Sequence, residues 1–464
     1  MWNADDDLTE GPIGRTLVVL ALPLVAQNLV QVVQQVVDTF WVGRLGEDAV
    51  AAVGLNYPVT AMLTSVAVMA PFVGTQVIVS QRVGAEEYTG ARRIAVHGLS
   101  FGVALAVVVT GVAVVGADRV VSLLGADPTV APLAATYLAT WALGVPAMAA
   151  SDVLEGGFVG WGDSRAALYV NATAVLVNVA LDPILIFGWG PVDGMGIRGA
   201  ALATVAGYGV GFLLALAMAL GLRDSFILSR DAVAFDLGEY RELVTVGAPA
   251  AGRRIAQDGV RIVVVGIVAT VGGAAGLAAY TVGARVASVA FIPASGLSQA
   301  AQSVIGQNIG AELPERARRT TWVGVAIAAG ALSLVGALQW LVPAGLTRLF
   351  VPDVSPAALD LTVDYLRILA YGYWAIGATY VLRAGFNGAR RTRTSMVASL
   401  CQYWGVRLPL AVGGVVLLDA GVHAVFWAVT LSNVAVAVGL GAYYYYSTSS
   451  GMLDRAVSQA VADD

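Results

Sequence analysis

The sequence predicts an all-α integral membrane protein with twelve transmembrane helices in two six-helix lobes. Three observations lead to this fold class. First, 58% of the 464 residues are hydrophobic and only 12% are charged, whereas soluble domains carry about 25% charged residues. Second, apolar segments recur along the whole chain, each near the roughly 20 residues that cross a bilayer. Third, the second half of the chain repeats the first.

The apolar segments give the predicted helices in order, six before a polar stretch at 223–240 and six after it. The first six are near 15–42, 49–79, 92–117, 130–157, 163–188 and 198–222, and the second six are near 241–270, 275–306, 319–344, 355–386, 394–418 and 421–446. The predicted division is an N-lobe at 1–222, a cytoplasmic linker at 223–240, a C-lobe at 241–446 and a polar C-terminal tail at 447–464.

Arginine placement predicts the orientation, because all 26 basic residues are arginines. When alternate connections are assigned to opposite sides, 15 arginines fall on the side of the termini, 4 fall on the other side and 7 lie inside helices. Basic residues favour the cytoplasmic side, so we expect both termini of this multi-pass protein to be cytoplasmic. The acidic N-terminal arm lacks the basic start of a cleavable signal peptide, so the first helix is expected to stay in the cell membrane.

An internal duplication becomes visible when the chain is shifted by 226 residues. Pro23 then aligns with Pro249, and GAEEYTGARR at 84–93 aligns without a gap with GAELPERARR at 310–319. Each half has an even number of helices, so both halves have the same orientation in the membrane. Such parallel repeats are typical of transporters, whose substrate sites lie at the repeat interface near the bilayer midplane.

Helix 1 carries a polar face within its apolar sequence. Gln27, Gln31, Gln34 and Asp38 have 4-3-4 spacing, which puts them on one side of a helix. This face must line water or a polar cleft, because a charge inside the bilayer costs a few kcal/mol or more. Pro23, on the same helix, removes a backbone hydrogen bond and so permits a bend.

Helix 5 has a second polar face, on which Asn171, Asn178 and Asp182 are spaced by seven and four residues. If Asp38 and Asp182 are close together, the pair could take up a proton. With amide and hydroxyl oxygens it could instead hold Na⁺, a hard cation that prefers oxygen ligands. The alternative is that each acid pairs with an intramembrane arginine.

Two further charged groups lie in predicted helices. Asp152 and Glu155 in helix 4 could attract a cationic substrate, or they could cap the cytoplasmic end of that helix. In helix 7, Asp258 is at helical pairing distance from Arg254 and Arg261, and a structural ion pair is the expected role.

The sequence resembles the multidrug and toxic compound extrusion (MATE) transporters over nearly its whole length. The matching features are the Pro23–Asp38 pattern followed by WVG, the SQRVGAE loop at 80–86 before two arginines, GFVGWGDSR at 157–165, the N-x₃-DP pattern at 178–183 and GAALAT at 199–204. The resemblance implies a V-shaped pair of lobes and alternating access. It also implies export of small organic cations in exchange for H⁺ or Na⁺.

The resemblance is to the DinF-like branch, and it implies an ion-coupling site in the N-lobe. The matching positions are Asp38, Asn178, Asp182 and Thr204, where Na⁺ could bind, and Pro23 would be the hinge that responds to protonation. The expected substrate cleft contains the polar and aromatic residues Gln27, Gln31, Gln34, Tyr137, Asp152 and Asn171.

The C-lobe does not repeat this chemistry. Val264 stands at the position that corresponds to Asp38, and Leu408 at the position that corresponds to Asp182. The NorM-like branch has one acid in helix 7 and another in helix 10. In this chain the helix-7 position is Gln257, and the helix-10 position falls near Ile376. A NorM-type sodium site in the C-lobe is therefore not expected.

Two other classes of function are alternatives to a drug antiporter. A flippase for lipid-linked sugars would suit the intramembrane arginines Arg253, Arg254, Arg261, Arg285, Arg367, Arg383 and Arg407. An enzyme is not expected, because the sequence has no nucleophile motif or phosphate-binding loop and only one cysteine. We therefore expect no cofactor beyond the coupling ion, no nucleic-acid partner and a monomer in contact with membrane lipid.

Overall fold

The computed structural model describes residues 8–124, 127–223, 226, 228, 235–350 and 355–462, which are helical apart from loops and one short hairpin. The helices of the first half are α1 (Ile13–Gly43), α2 (Glu47–Gly84), α3 (Tyr88–Leu123), α4 (Ala131–Ala142), α5 (Val145–Trp161), α6 (Ser164–Phe187) and α7 (Ile197–Ala217). The two-residue strands β1 (Gly188–Trp189) and β2 (Val192–Asp193) pair between α6 and α7. A π-helical turn, Met218–Leu222, extends α7.

The second half begins with α8 (Leu237–Ala290), which is broken at Gly273. The helices that follow are α9 (Ile292–Gly310), α10 (Pro314–Leu341), α11 (Pro343–Phe350), α12 (Pro356–Ala370), α13 (Tyr373–Gly388), α14 (Thr392–Leu400), α15 (Leu408–Val416), α16 (Gly421–Ser449) and α17 (Met452–Ala462). A π-helical segment, Cys401–Arg407, joins α14 to α15.

Twelve membrane-spanning segments can be assembled from the described helices. Eight helices are long and apolar enough to span alone, and two bent pairs raise the number to ten. The pairs are α4–α5, bent by 45°, and Ala275–Ala290 with α9, bent by 44°. The segments α12–α13 and α14–α15 complete the twelve; their helices have 15, 16, 9 and 9 residues, so none of the four is long enough to span alone. The predicted helices 4, 8 and 10 are therefore bent or broken rather than straight.

Local sequence signals explain several helix boundaries. The side chain of Asp163 accepts a hydrogen bond from the Ala166 backbone at the start of α6, and Ser355 caps α12 in the same way. Both are residue types that satisfy the free amides of a helix start. Gly162, with φ 103°, ends α5 in the left-handed conformation that glycine adopts without strain.

The chain forms two compact units whose boundaries follow the internal repeat. Unit one contains residues 26–251, and unit two contains residues 8–25 together with the chain from Gly252 onward. The change of unit falls two residues after Pro23 in α1 and two residues after Pro249 in α8. The two boundaries are thus separated by the repeat distance of 226 residues.

Glycines allow very close helix packing inside unit one. A Cβ built at Gly199 of α7 would lie 2.2 Å from the backbone oxygen of Leu185 in α6. A Cβ at Gly207 would lie 2.6 Å from the backbone oxygen of Ala174. Small residues let helix backbones approach in this way, and the approach brings the polar faces of α6 and α7 together.

Candidate ion-coupling site

The polar face of α1 is hydrogen-bonded to α5 and α6 inside unit one. Each of its three glutamines donates from Nε2 to a side-chain oxygen at 2.9 to 3.0 Å: Gln27 to Glu155, Gln31 to Asn171 and Gln34 to Asn178. The 4-3-4 spacing of α1 therefore corresponds to one row of partners along the neighbouring helices. Four of the predicted cleft residues, the three glutamines and Asn171, meet in this row.

At the end of the row, the carboxyl groups of Asp38 and Asp182 lie close enough to each other to share a hydrogen bond. Two carboxyl groups can form such a bond only when one of them carries a proton. Asp182 is 1% exposed, and its Oδ2 accepts no hydrogen bond from a protein donor. A buried carboxylate oxygen without a donor is costly, so this atom is a natural position for a proton or a cation.

Asn178 connects the two acids to α7, and its amide has two orientations. In one, Asn178 accepts from Gln34 and its nitrogen lies 3.4 Å from Thr204 Oγ1. In the other, it donates to Asp38 Oδ1 at 2.9 Å and accepts from the Thr204 backbone nitrogen at 3.2 Å. Amide orientation is assigned from the hydrogen-bond network, and the second orientation gives an ionised Asp38 a donor. The four predicted coupling residues thus lie together.

Two tyrosines border the acid pair. Tyr137, predicted as a cleft residue, interacts electrostatically with both Asp38 and Asp182. Tyr208 interacts with Asp38 and with Asp152, and the sequence interpretation missed it. Its signal was its position four residues after Thr204, which places it on the same face of α7.

Glu155, rather than Asp152, takes the central place in a second acidic group. Glu155 is 4% exposed and accepts hydrogen bonds from Gln27, from Asn171 at 3.1 and 3.2 Å, and from Ser151 at 3.4 Å. Asp152 interacts electrostatically with it. The partners of Glu155 are side chains of α1, α5 and α6, not the end of a helix.

The alternative in which each acid is neutralised by an arginine is not observed. Within the described ranges, neither Asp38 nor Asp182 forms an ion pair with an arginine. No group of three or more His, Cys, Asp or Glu side chains that could hold a metal was found among these residues. The site instead offers two carboxylates, an amide and a hydroxyl, an all-oxygen set that suits Na⁺ as well as a proton.

Two motifs of the resemblance have structural roles in unit one. The predicted SQRVGAE loop begins only after Gly84, and Arg82 lies in the last turn of α2. This arginine donates to both carboxylate oxygens of Glu239 at 3.0 and 2.8 Å and to Glu242 at 2.9 Å. Asp163, in the GFVGWGDSR segment, pairs with Arg223. The hydrogen bond to Asp163 raises the pKa of the Arg223 guanidinium above its usual value.

Pro23 lies inside α1, which continues as one helix from Ile13 to Gly43. It belongs to unit two, whereas Asp38 belongs to unit one. The role of Pro23 as a hinge stays a prediction.

Comparison with known proteins identifies the family. The MatE family model matches residues 23–184 and 249–412, so each half of the chain is matched once and the two matches begin 226 residues apart. The chain belongs to the MatE family of membrane transporters. It is a multi-pass membrane protein, and the prediction that it is not an enzyme is confirmed by this membership.

Individual relatives are similar over nearly the full length. A protein named FAD transporter from Shewanella oneidensis is 28% identical, with 94% of this chain and 95% of that protein covered. A protein named probable multidrug resistance protein NorM from Pseudomonas aeruginosa is 27% identical, with 96% and 91% covered. A crystal structure of MATE in complex with MaL6 has a TM-score of 0.89 at 24% identity, covering 97% of this chain and 98% of that chain.

The predicted all-helical fold with about twelve spans is confirmed by this structural match. The DinF-like branch and the cytoplasmic position of the termini stay predictions.

Proposed function

We propose that this protein is an ion-coupled efflux antiporter, which exports small organic compounds in exchange for H⁺ or Na⁺ by alternating access. The observation that supports the proposal best is the close pair of carboxyl groups, Asp38 and Asp182, in the polar network of unit one. Such a pair changes its charge and its hydrogen bonds when a proton or Na⁺ binds. A transporter can use this change to link ion entry to a change of conformation.

The coupling acts through α1. Ion binding at Asp38 changes the hydrogen bonds between Asp38 and Asn178 in α6, and Pro23 permits α1 to bend in response. The ion can shift the conformational equilibrium only by the difference between its affinities for the two states. A membrane potential of ~100 mV adds roughly 2.3 kcal/mol for each charge that crosses. This energy is sufficient to bias transport towards export.

Organic cations are the first candidate cargo. A relative is named as a multidrug resistance protein, and Asp152 and Glu155 place two carboxyl groups beside the glutamine row. Tyr137 and Tyr208 add aromatic surface, to which flat cations bind through cation–π contacts.

A flavin nucleotide is the second candidate cargo. The relative from Shewanella oneidensis is named FAD transporter, and FAD carries negatively charged phosphates. Unit two contains the buried arginine Arg383 and the half-buried Arg253 and Arg407, which are residues of the kind that would bind such groups.

The proposal is tested with the full chain in proteoliposomes. Ethidium efflux is measured while a proton gradient or a sodium gradient is imposed separately, with protein-free liposomes as the control. We expect efflux faster than in the control under at least one of the two gradients. FAD efflux is measured in the same way. If neither gradient drives the efflux of ethidium or of FAD, the antiport proposal is contradicted.

Thr204→Ala is expected to separate the two coupling ions. Removing the hydroxyl deletes one oxygen ligand for Na⁺ but leaves both carboxyl groups for a proton. If Na⁺ is used, we expect Na⁺-driven efflux to fall by about tenfold, which is the effect of losing roughly 1.4 kcal/mol of binding, with proton-driven efflux nearly unchanged.

The matched control for this variant is Thr270→Ala in unit two. Thr270 donates to the backbone oxygen four residues earlier at 2.9 Å, as Thr204 does at 3.1 Å, but Thr270 is exposed. Equal losses of Na⁺-driven and proton-driven efflux in Thr204→Ala would argue against Na⁺ as the ligand of this hydroxyl.

A further inference from the structure

Unit two contains three arginines that approach one another from different helices. They are Arg253 in α8, Arg383 in α13 and Arg407 at the end of the π-helical segment before α15. Arg253 interacts electrostatically with Arg383, and Arg383 interacts with Arg407. Arg383 is 8% exposed, whereas Arg253 and Arg407 are half-buried and can be reached by a ligand. We call these three residues the arginine cluster.

Neutral side chains hold two members of the arginine cluster in place. Arg383 Nη2 donates to Gln402 Oε1 at 2.7 Å, and Gln402 Nε2 donates to Asn433 Oδ1 at 2.7 Å. Arg407 donates to the same Asn433 oxygen at 2.9 Å and to Ser432 Oγ at 2.9 Å. The two guanidinium groups are therefore fixed on one chain of hydrogen bonds, although their positive charges repel each other.

The arginine cluster lacks a balancing negative charge. Among the described residues, no carboxylate forms an ion pair with Arg253, Arg383 or Arg407. The predicted pair of Asp258 with Arg254 is confirmed at 3.3 Å, so this nearby acid already has a partner. Charges out of water are costly unless they are paired. A protein that keeps these charges together gains if an anion binds to them.

One donor of the arginine cluster has no acceptor within the protein. Nε of Arg383 is buried and has no hydrogen-bond partner. Buried polar groups without a partner are rare in native structures. Because a guanidinium group presents a planar fork of N–H donors that matches phosphate or carboxylate, the missing acceptor is well explained by an oxyanion.

Two tyrosines lie beside the arginine cluster. The guanidinium group of Arg407 lies over the Tyr403 ring, 4.4 Å from its centroid. Tyr380 interacts electrostatically with both Arg253 and Arg383. An anion that also carries a planar ring would find both charge and aromatic surface here, which favours a phosphate ester of an aromatic compound over a bare ion.

We propose that Arg253, Arg383 and Arg407 form a binding site for the phosphate group of an aromatic compound. That the compound is a transported cargo depends on the proposed function, but its binding does not. The shared chemistry is a phosphate group, which can belong to a soluble nucleotide-like compound or to an anionic lipid.

Two flavins that differ only in a phosphate group provide the test. Binding of FMN and of riboflavin to the purified full chain is measured by flavin fluorescence. We expect FMN to bind at least about tenfold more tightly than riboflavin, since a charged hydrogen bond contributes about 1.5–3 kcal/mol. Arg253→Gln should weaken FMN binding about tenfold and leave riboflavin binding within about twofold.

Arg407→Gln provides a second variant with the same expectation, and Arg285→Gln is the matched control. Arg285 is an exposed arginine of α8 in unit two that lies outside the arginine cluster, and its replacement should leave FMN binding unchanged. Size-exclusion profiles and thermal midpoints show that each variant is folded. Equal binding of FMN and riboflavin, or unchanged FMN binding in both folded variants, would overturn the proposal.

Competition experiments identify the source of the phosphate group. FMN binding is measured with the protein in nanodiscs of phosphatidylglycerol and in nanodiscs of phosphatidylcholine. Displacement of FMN by phosphatidylglycerol alone would support the site and assign it to a lipid headgroup, whereas equal FMN binding in both lipids would support a soluble compound. FMN binding without ion-driven FMN efflux would leave this site intact and count against the proposed function only.

Discussion

Asp38→Asn is expected to abolish ion-driven efflux while the protein still folds and reaches the membrane. Asparagine has nearly the same shape as aspartate, so the contact with Asn178 can be kept. It cannot bind a proton or supply a negative charge to Na⁺, and it cannot share a proton with the neighbouring Asp182 carboxyl group. We expect efflux at the level of protein-free liposomes under both a proton gradient and a sodium gradient.

Asp193→Asn is the matched control for this experiment. Asp193 is an exposed residue of β2 in the same unit, and the chemical change is identical. Efflux by Asp193→Asn should equal that of the unmodified protein. Ion-driven efflux by Asp38→Asn at the unmodified rate would remove Asp38 from the coupling mechanism.

The polar face of α1 could be predicted because it depends on local periodicity alone. The 4-3-4 spacing of polar residues in an apolar helix requires a polar environment on one side, and the structure supplies Glu155, Asn171 and Asn178 there. The identity of these partners depends on how α5 and α6 pack beside α1, which spacing within one helix does not specify. The sequence therefore indicates that Glu155 is a candidate charged residue, but it does not identify Glu155 as the acceptor for Gln27.

Helix bends were harder to predict than helix number. An apolar run shows that a segment can cross the membrane, but hydropathy is the same for a straight helix and a bent one. The breaks between α4 and α5 and between α8 and α9 fall next to Pro146 and Pro293. Proline at the start of a helix is compatible with a break because its missing amide is not needed there. These two prolines mark the positions of the bends, which the lengths of the apolar segments do not show.

The arginine cluster shows how the two halves have diverged on a shared fold. The repeat places Arg407 next to Leu408, the counterpart of Asp182. Unit one thus has carboxylates and amides where unit two has arginines and amides. The proposed cation or proton site therefore lies in one unit, and the proposed anion site lies in the other. The sequence showed which charges were present, and the structure showed which of them lack a counter-charge.

Gly207→Ala is expected to impair ion-driven efflux severely, although alanine is the smallest possible addition. The new Cβ would lie 2.6 Å from the Ala174 backbone oxygen and 3.1 Å from Asn178 Cβ, so α7 must move away from α6. That movement separates Thr204 from Asn178 and disturbs the site around Asp38. Overpacking of this kind costs about 1–3 kcal/mol, so the thermal midpoint of the purified protein should also fall.

Gly209→Ala separates this packing effect from a general intolerance of alanine in α7. A Cβ at Gly209 meets no atom within 4 Å, and alanine is the better helix former, so this variant should keep the efflux rate and thermal midpoint of the unmodified protein. Efflux and thermal midpoint are measured for both variants under the same gradients. If Gly207→Ala retained full ion-driven efflux, close contact between α6 and α7 would not be required for coupling. Loss in Gly207→Ala with full activity in Gly209→Ala would show that coupling requires the backbone of α7 to lie against Asn178.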